Sequence, residues 1–324
     1  MRRRLSLTMG LMLLSGCPSN PLVTPPGTGA IKDLTPAATS ADGTFKTPLD
    51  AALSPDGKTA YFVGLEDGQA AVYSTPAPST SAPTRLHLGA PLVSPFGIDV
   101  SLDGKTIVLS DPGAQLDPEN PARGELFSLS ASGSTPAVIS GASGFAPRAV
   151  VLLTVNNVEV ATFSGRDPTT KETGVFQIPL AGGTVTTLAK GGLLRDPTGV
   201  ALAHDGTAYV IDADADGSEA RLLKVTSDGT VSVMLSPITI GFPAGVALSQ
   251  DEKTVLVSAK APEAGTDAVL RVPVAGGETE VVTTGIDQFQ EPAGLHRARN
   301  VDTYIWADSR ANGGGTVFVI NKQQ

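Results

Sequence analysis

Cysteine is almost absent from this 324-residue chain: Cys17 is the only one, so no disulfide can form within it. Histidine is nearly as scarce, at three residues, and their spacing forms no metal-binding cluster. Residues 5–14 form an apolar stretch of ten, against the ~20 that a membrane-spanning helix requires. No Gly-x-Ser-x-Gly elbow and no phosphate-binding loop occurs, so hydrolase chemistry has no positive support. Positive charge is short as well. The net charge is −9, and three of the basic residues, Arg2, Arg3 and Arg4, lie in the leader. Such an acidic chain argues against nucleic acid or anionic lipid as its main partner.

Glycine (36) and proline (25) are plentiful, as many short strands and tight turns demand. They fall into a repeat. Within residues 196–235, residues 199–202 form a short apolar run, His204-Asp205-Gly206 turns the chain, and residues 208–211 form a second run. Residues 222–225 and 231–235 form the third and fourth, with Ser227-Asp228-Gly229 turning between them. Four short strands joined by Gly and Asp turns predict one antiparallel sheet, a propeller blade.

Six copies register on the proline before the first strand: Pro48, Pro95, Pro147, Pro197, Pro243 and Pro292, at intervals of 47, 52, 50, 46 and 49 residues. Self-similarity at this period marks propellers or solenoids. Three places after each proline an apolar residue recurs as Ala51, Ile98, Val150, Val200, Val246 and Leu295. Two places further on stand Leu53, Val100, Leu152, Leu202 and Leu248, with Arg297 departing. The prediction is an all-β, six-bladed propeller of four-stranded antiparallel blades. The sixth copy lacks its fourth strand, so residues 30–34 are expected to close the ring against residues 317–320, removing an exposed edge. Links between second and third strands are long and varied and share one face with the prolines. That face is the expected ligand-binding side.

Pro197-Thr198-Gly199-Val200-Ala201-Leu202, followed by Tyr209-Val210-Ile211-Asp212, resembles NHL repeats and the gluconolactonase/regucalcin-like propellers. The resemblance implies the fold and, in the lactonase-like members, a divalent metal at the channel mouth. There the metal-binding asparagine follows the proline of one copy and an aspartate ends a second strand. Here the residues after the prolines are Leu49, Phe96, Arg148, Thr198, Ala244 and Ala293, none of them Asn, Asp or Glu. Aspartates do end the second strand in alternate copies, at Asp111, Asp212 and Asp308. They are channel-mouth candidates, or else they cap turns through backbone N–H groups. His296 sits on an innermost strand where another copy carries Asp99, a titratable pair that could face the inner region or form part of a satisfied core. Asp212, Asp214 and Asp216, with Gly217, match the first half of an EF-hand loop, so calcium is the one cofactor to expect, bound weakly and for structure.

Leu14-Ser15-Gly16-Cys17, behind a basic and then an apolar segment, resembles the bacterial lipobox, in which the cysteine is lipidated and becomes the first residue. Residues 1–16 are therefore expected to be a lipoprotein signal peptide. Residues 17–29 then hold the lipidated Cys17 and a proline-rich tether, and residues 30–324 the propeller. Pro18 and Ser19 after the cysteine favour the outer membrane, facing the periplasm or the cell surface. The expected function is a monomeric, membrane-anchored, extracytoplasmic binding propeller for a peptide, glycan or protein ligand. The alternative is a metal-dependent lactonase or esterase.

Overall fold

The structure is a computed structural model that describes residues 22–23, 34–39, 43–79, 81–116, 119, 123–214, 219–240, 244–261, 267–282 and 292–321. Six antiparallel sheets follow one another along the chain. Blade 1 runs from Lys46–Leu53 to Thr84–Leu88, blade 2 from Gly97–Val100 to Ala137–Val138 and blade 3 from Val150–Val155 to Thr186–Lys190. Blade 4 runs from Asp196–Leu202 to Val231–Ile238 and blade 5 from Val246–Leu248 to Thr279–Val282. Blade 6 holds Pro292–Arg297, Thr303–Asp308 and Thr316–Asn321. The first strands touch in cyclic order, from blade 1 round to blade 6 and back, so they line a central axis.

Local chemistry explains the short first-to-second links. In blade 1 Ser54 Oγ donates to Asp56 Oδ1 at 2.7 Å and accepts the Thr59 N–H at 2.9 Å, while Gly57 takes the positive φ of 75° that the turn needs. Ser101 with Asp103, and Ser249 with Asp251, repeat this at 2.7 Å in blades 2 and 5.

Packing follows from strand alternation in sheets buried on both faces. In the second strand of blade 1, Ala60 and Phe62 pack with Ile305 and Ala307 of blade 6, whereas Tyr61 and Val63 pack with Ile107 and Leu109 of blade 2. Phe45, Phe62 and Tyr73 add an aromatic cluster, with centroids 4.8 Å apart for the first pair and 5.0 Å for the last. Full burial of such a side chain contributes about 1.5–3 kcal/mol.

The ring is closed by the N-terminal strand, at a position later than expected. Leu34–Thr39 pairs antiparallel with Thr316–Asn321, from Leu34 opposite Ile320 to Thr39 opposite Thr316. Of the expected segment only Leu34 takes part, and residues 30–33 lie outside the described residues. The register shifts between Pro36 and Ala38, which is how a proline is tolerated there. Ala37 and Ala38 are buried against Ala298, Val317 and Val319, small enough to fill the seam between blades 6 and 1. A second departure lies within the proline-rich stretch, where Leu22–Val23 adds a parallel fifth strand to the outer edge of blade 5, opposite Thr279 and Glu280.

Candidate functional site

Two first-strand positions border the axis. Two places after the prolines stand Asp50, Gly97, Ala149, Gly199, Gly245 and Gly294; four places after stand Ala52, Asp99, Val151, Ala201, Ala247 and His296. Small residues at eight of these twelve positions let six strands approach one another. The polar exceptions, Asp50, Asp99 and His296, all lie in blades 6, 1 and 2 and join into a network.

Asp50 is buried and its carboxylate serves three blades. It accepts the N–H of Ala51 in its own strand at 2.9 Å, the N–H of Ile98 in blade 2 at 3.1 Å, and an ion pair from His296 Nε2 in blade 6 at 3.0 Å. Asp99 repeats the arrangement one blade on. It accepts the N–H of Val100 at 2.7 Å and that of Leu152 in blade 3 at 2.6 Å, and it faces Arg299 Nη2 at 3.4 Å. Burial pulls the His296 imidazole towards its neutral form, but the Asp50 carboxylate, with Asp99 beyond it, outweighs burial and raises its pKa above the ordinary value. Gly294 makes room for the pair: a Cβ there would stand 1.6 Å from Asp50 Oδ1.

His296 divides the axis. On one side a void of about 10 Å³ is lined by Asp50, Phe96, Thr198 and Ala244. On the other a cavity of about 240 Å³ opens among the first-to-second links, bounded by Leu102, Thr154, His204 and Asn300. Asp99, His296, Arg297 and Arg299 supply its polar groups, and Leu102, Val151, Leu153 and Leu202 the less buried part of its apolar wall. This is the face opposite the long second-to-third links, several of which fall partly outside the described residues.

The expected site residues separate in space. Asp99 and His296 both line the cavity, but His296 bonds Asp50 rather than Asp99. Asp111 and Asp308 end their second strands and Asp212 stands one residue before the end of its own, all three fully buried. Asp111 accepts the N–H groups of Val93, Ser94, Gly113 and Ala114 at 2.7–3.1 Å. Asp212 accepts those of Arg195 and Asp196 at 2.8 and 2.9 Å and pairs with Arg221 Nη2 at 2.5 Å. Burial raises its pKa, and these partners oppose the rise. Asp308 accepts those of Arg310 and Ala311 at 2.9 and 2.8 Å.

These carboxylates do not fit the metal site that the lactonase resemblance implies. Their oxygens point at backbone amides, a guanidinium stands against Asp212, and no group of three or more His, Cys, Asp or Glu side chains among the described residues could hold an ion. For the calcium loop, Asp214 Oδ1 accepts the Glu219 N–H at 3.1 Å, and Asp216 lies outside the described residues, as does Cys17. Sequence reasoning missed Asp50, although its position was conspicuous: the other five copies carry Gly or Ala there.

The fold and axis define a six-bladed β-propeller. Its solved structural neighbours include the calcium-binding protein regucalcin from Agrobacterium tumefaciens, 12% identical, covering 86% of this chain and 90% of that one with a TM-score of 0.55. A gluconolactonase from Xanthomonas campestris is 12% identical over 94% and 98% of the two chains, with a TM-score of 0.56. TolB from Acinetobacter baumannii is 16% identical over 72% of this chain, with a TM-score of 0.53, and only 56% of the TolB chain is covered. No family model and no curated protein matches the chain. The likeness is one of fold.

Proposed function

We propose that this chain is a membrane-tethered binding propeller of the bacterial cell envelope, which engages its ligand at the central cavity on the face of the short first-to-second links. The observation that carries the reading is the cavity itself, an apolar-walled recess with a few convergent charged groups on a rigid ring. Binding is preferred to lactone hydrolysis because Asp111, Asp212 and Asp308 spend their oxygens on backbone amides and Arg221. The lipobox resemblance at Cys17 supports the tether. Two acyl groups plus a further chain anchor stably where a single chain would not.

Cys17→Ser is expected to move the protein from the membrane to the soluble fraction and to change its mature mass; unchanged fractionation and mass would remove the tether from the reading. Binding is tested by capture from an envelope extract. A partner retained by the unaltered propeller is expected to be lost with Leu102→Asp, which places a charge on the exposed rim of the cavity. Retention of the same partner by both proteins would move the contact off this face.

A further inference from the structure

Strand direction fixes the side from which the N-terminal segment reaches the ring. In each blade the first strand ends, and the fourth begins, on the face of the short first-to-second links. Leu34–Thr39 serves as the fourth strand of blade 6 and runs antiparallel to Thr316–Asn321, so Leu34 stands on that face and Thr39 on the opposite one. Leu22–Val23 runs parallel to the fourth strand of blade 5, with Leu22 opposite Thr279, the first residue of that strand. Both N-terminal strands are therefore entered from the short-link side. Cys17 precedes Leu22 by five residues and Leu34 by seventeen, at most about 18 Å and 61 Å of chain at ~3.6 Å per residue.

The same face carries one link unlike the rest. In five blades the ladder between first and second strands stops at Leu53, Val100, Leu202, Leu248 and Arg297, and five or six residues turn the chain. Blade 3 continues three pairs past the equivalent Leu152, through Leu153 with Val160 and Thr154 with Glu159 to Val155 with Val158. At ~3.3 Å per residue this adds about 10 Å of hairpin. Asn156 and Asn157 close it with φ of 49° and 64°, as a two-residue turn requires. Each of the other five links carries an aspartate; this tip carries no charge. Strand alternation puts Leu153, Val155, Val158 and Val160 on one side of the hairpin, and Val155 and Val158 are 40% and 49% exposed. Leu102, in the link of blade 2, is 46% exposed, and its N–H donates to Glu159 Oε1 at 2.7 Å, which holds it beside the hairpin. The opposite face also exposes Val93, Leu116 and Leu193, but both N-terminal strands are entered from the other side.

We infer that the face of the short links docks on the bilayer that holds the acyl chains of Cys17, with Val155, Val158 and Leu102 entering the lipid interface. The inference rests on the tether of the proposed function and adds the orientation of the ring and the surface that meets the membrane. An uncharged tip on a chain of net −9 fits zwitterionic headgroups rather than anionic ones. Three apolar side chains suffice because the anchor holds the face at high effective concentration near the lipid. The cavity shares this face, so docking turns its mouth towards the bilayer.

The test uses the full chain, acylated at Cys17 and reconstituted in phosphatidylcholine vesicles. Once Cys17 is acylated no other thiol is present, so a bimane attached through Val158→Cys or, on the opposite face, Val93→Cys reports one position. Both positions are exposed, and neither substitution removes a packed side chain. Nitroxide-labelled lipids are expected to quench the label at position 158 at least threefold more strongly than the label at position 93. Adding Val155→Asp and Leu102→Asp should reduce that difference at least twofold. Equal quenching, or stronger quenching at position 93, overturns the inference. An apolar environment at position 158 without quenching also overturns it, and places a second copy of the chain on the face. A chain that sediments with the vesicles yet shows equal quenching keeps its tether and loses the docking, whereas a chain that is not acylated and does not sediment loses both.

Discussion

A truncation lacking residues 18–39 is expected to melt about 10 °C below the full chain and to aggregate, whereas one lacking only residues 18–28 stays monomeric and within about 3 °C of it. The longer deletion removes Leu34–Thr39, the fourth strand of blade 6. Thr316–Asn321 then becomes an open edge with unpaired backbone groups, next to buried apolar residues such as Val317 and Val319. About five ladder hydrogen bonds at ~1 kcal/mol each are lost, and each kcal/mol shifts the melting point of a domain this large by about 2–4 °C. The shorter deletion removes only the two-residue strand Leu22–Val23. Differential scanning calorimetry with size-exclusion chromatography checks the pair. Equal melting and equal monodispersity would show that the ring does not need its N-terminal strand.

Asp50→Ala is expected to cost about 3–5 kcal/mol, the usual result of removing one member of a buried ion pair. It strands the N–H groups of Ala51 and Ile98 together with the buried His296 ring. Asp50→Ala combined with His296→Leu should recover part of the loss, because the buried polar ring left without its partner goes with it. Gly294→Ala should act in the same direction, since its Cβ would occupy the position of Asp50 Oδ1. The pH dependence has a definite sign. His296 has a raised pKa in the folded state, so its contribution is complete below the unfolded histidine value of 6.5 and is lost as pH rises through the folded value. The stability difference between the unaltered protein and His296→Gln, measured by urea denaturation, should therefore shrink from pH 6 upward. A difference that grows, or stays flat to pH 9, would mean the pair is not charged as described.

Much of the fold was legible because a propeller repeats its instructions. Six prolines at near-constant spacing, each followed by alternating apolar residues, were enough to count the blades. The closing strand was misplaced because the chain offers two apolar cues, Ile31 with Leu34 and then Ala37 with Ala38, and Pro36 reads as a strand breaker. A local register shift accommodates that proline. Arg297 was recognised as departing from the apolar pattern, but its purpose was not legible. Its guanidinium reaches the Leu248 carbonyl of blade 5, a contact defined only by neighbouring blades. The Asp50–His296 pair is harder still: the partners lie 246 residues apart, and only ring closure brings them together. The face of the cavity depends on side-chain bulk at the two ends of the axis, which a single copy of the repeat does not reveal.

The closing seam also fixes the order of events during synthesis. Leu34–Thr39 is made before blades 1 to 5 and Thr316–Asn321 after them, so blade 6 cannot be completed until the other five blades have emerged. Blades 1 to 4 are built from contiguous hairpins with local pairing and can assemble as they appear, while the seam is the long-range contact that folds slowly. Until then the first-made strand waits without its partner, and an open ring displays the edge that closure later hides. Because the paired ends lie side by side, a short linker from residue 321 to residue 34 would give a continuous ring, and new termini in the link between blades 3 and 4, at Gly191 and Gly192, would turn the slow seam into a local hairpin.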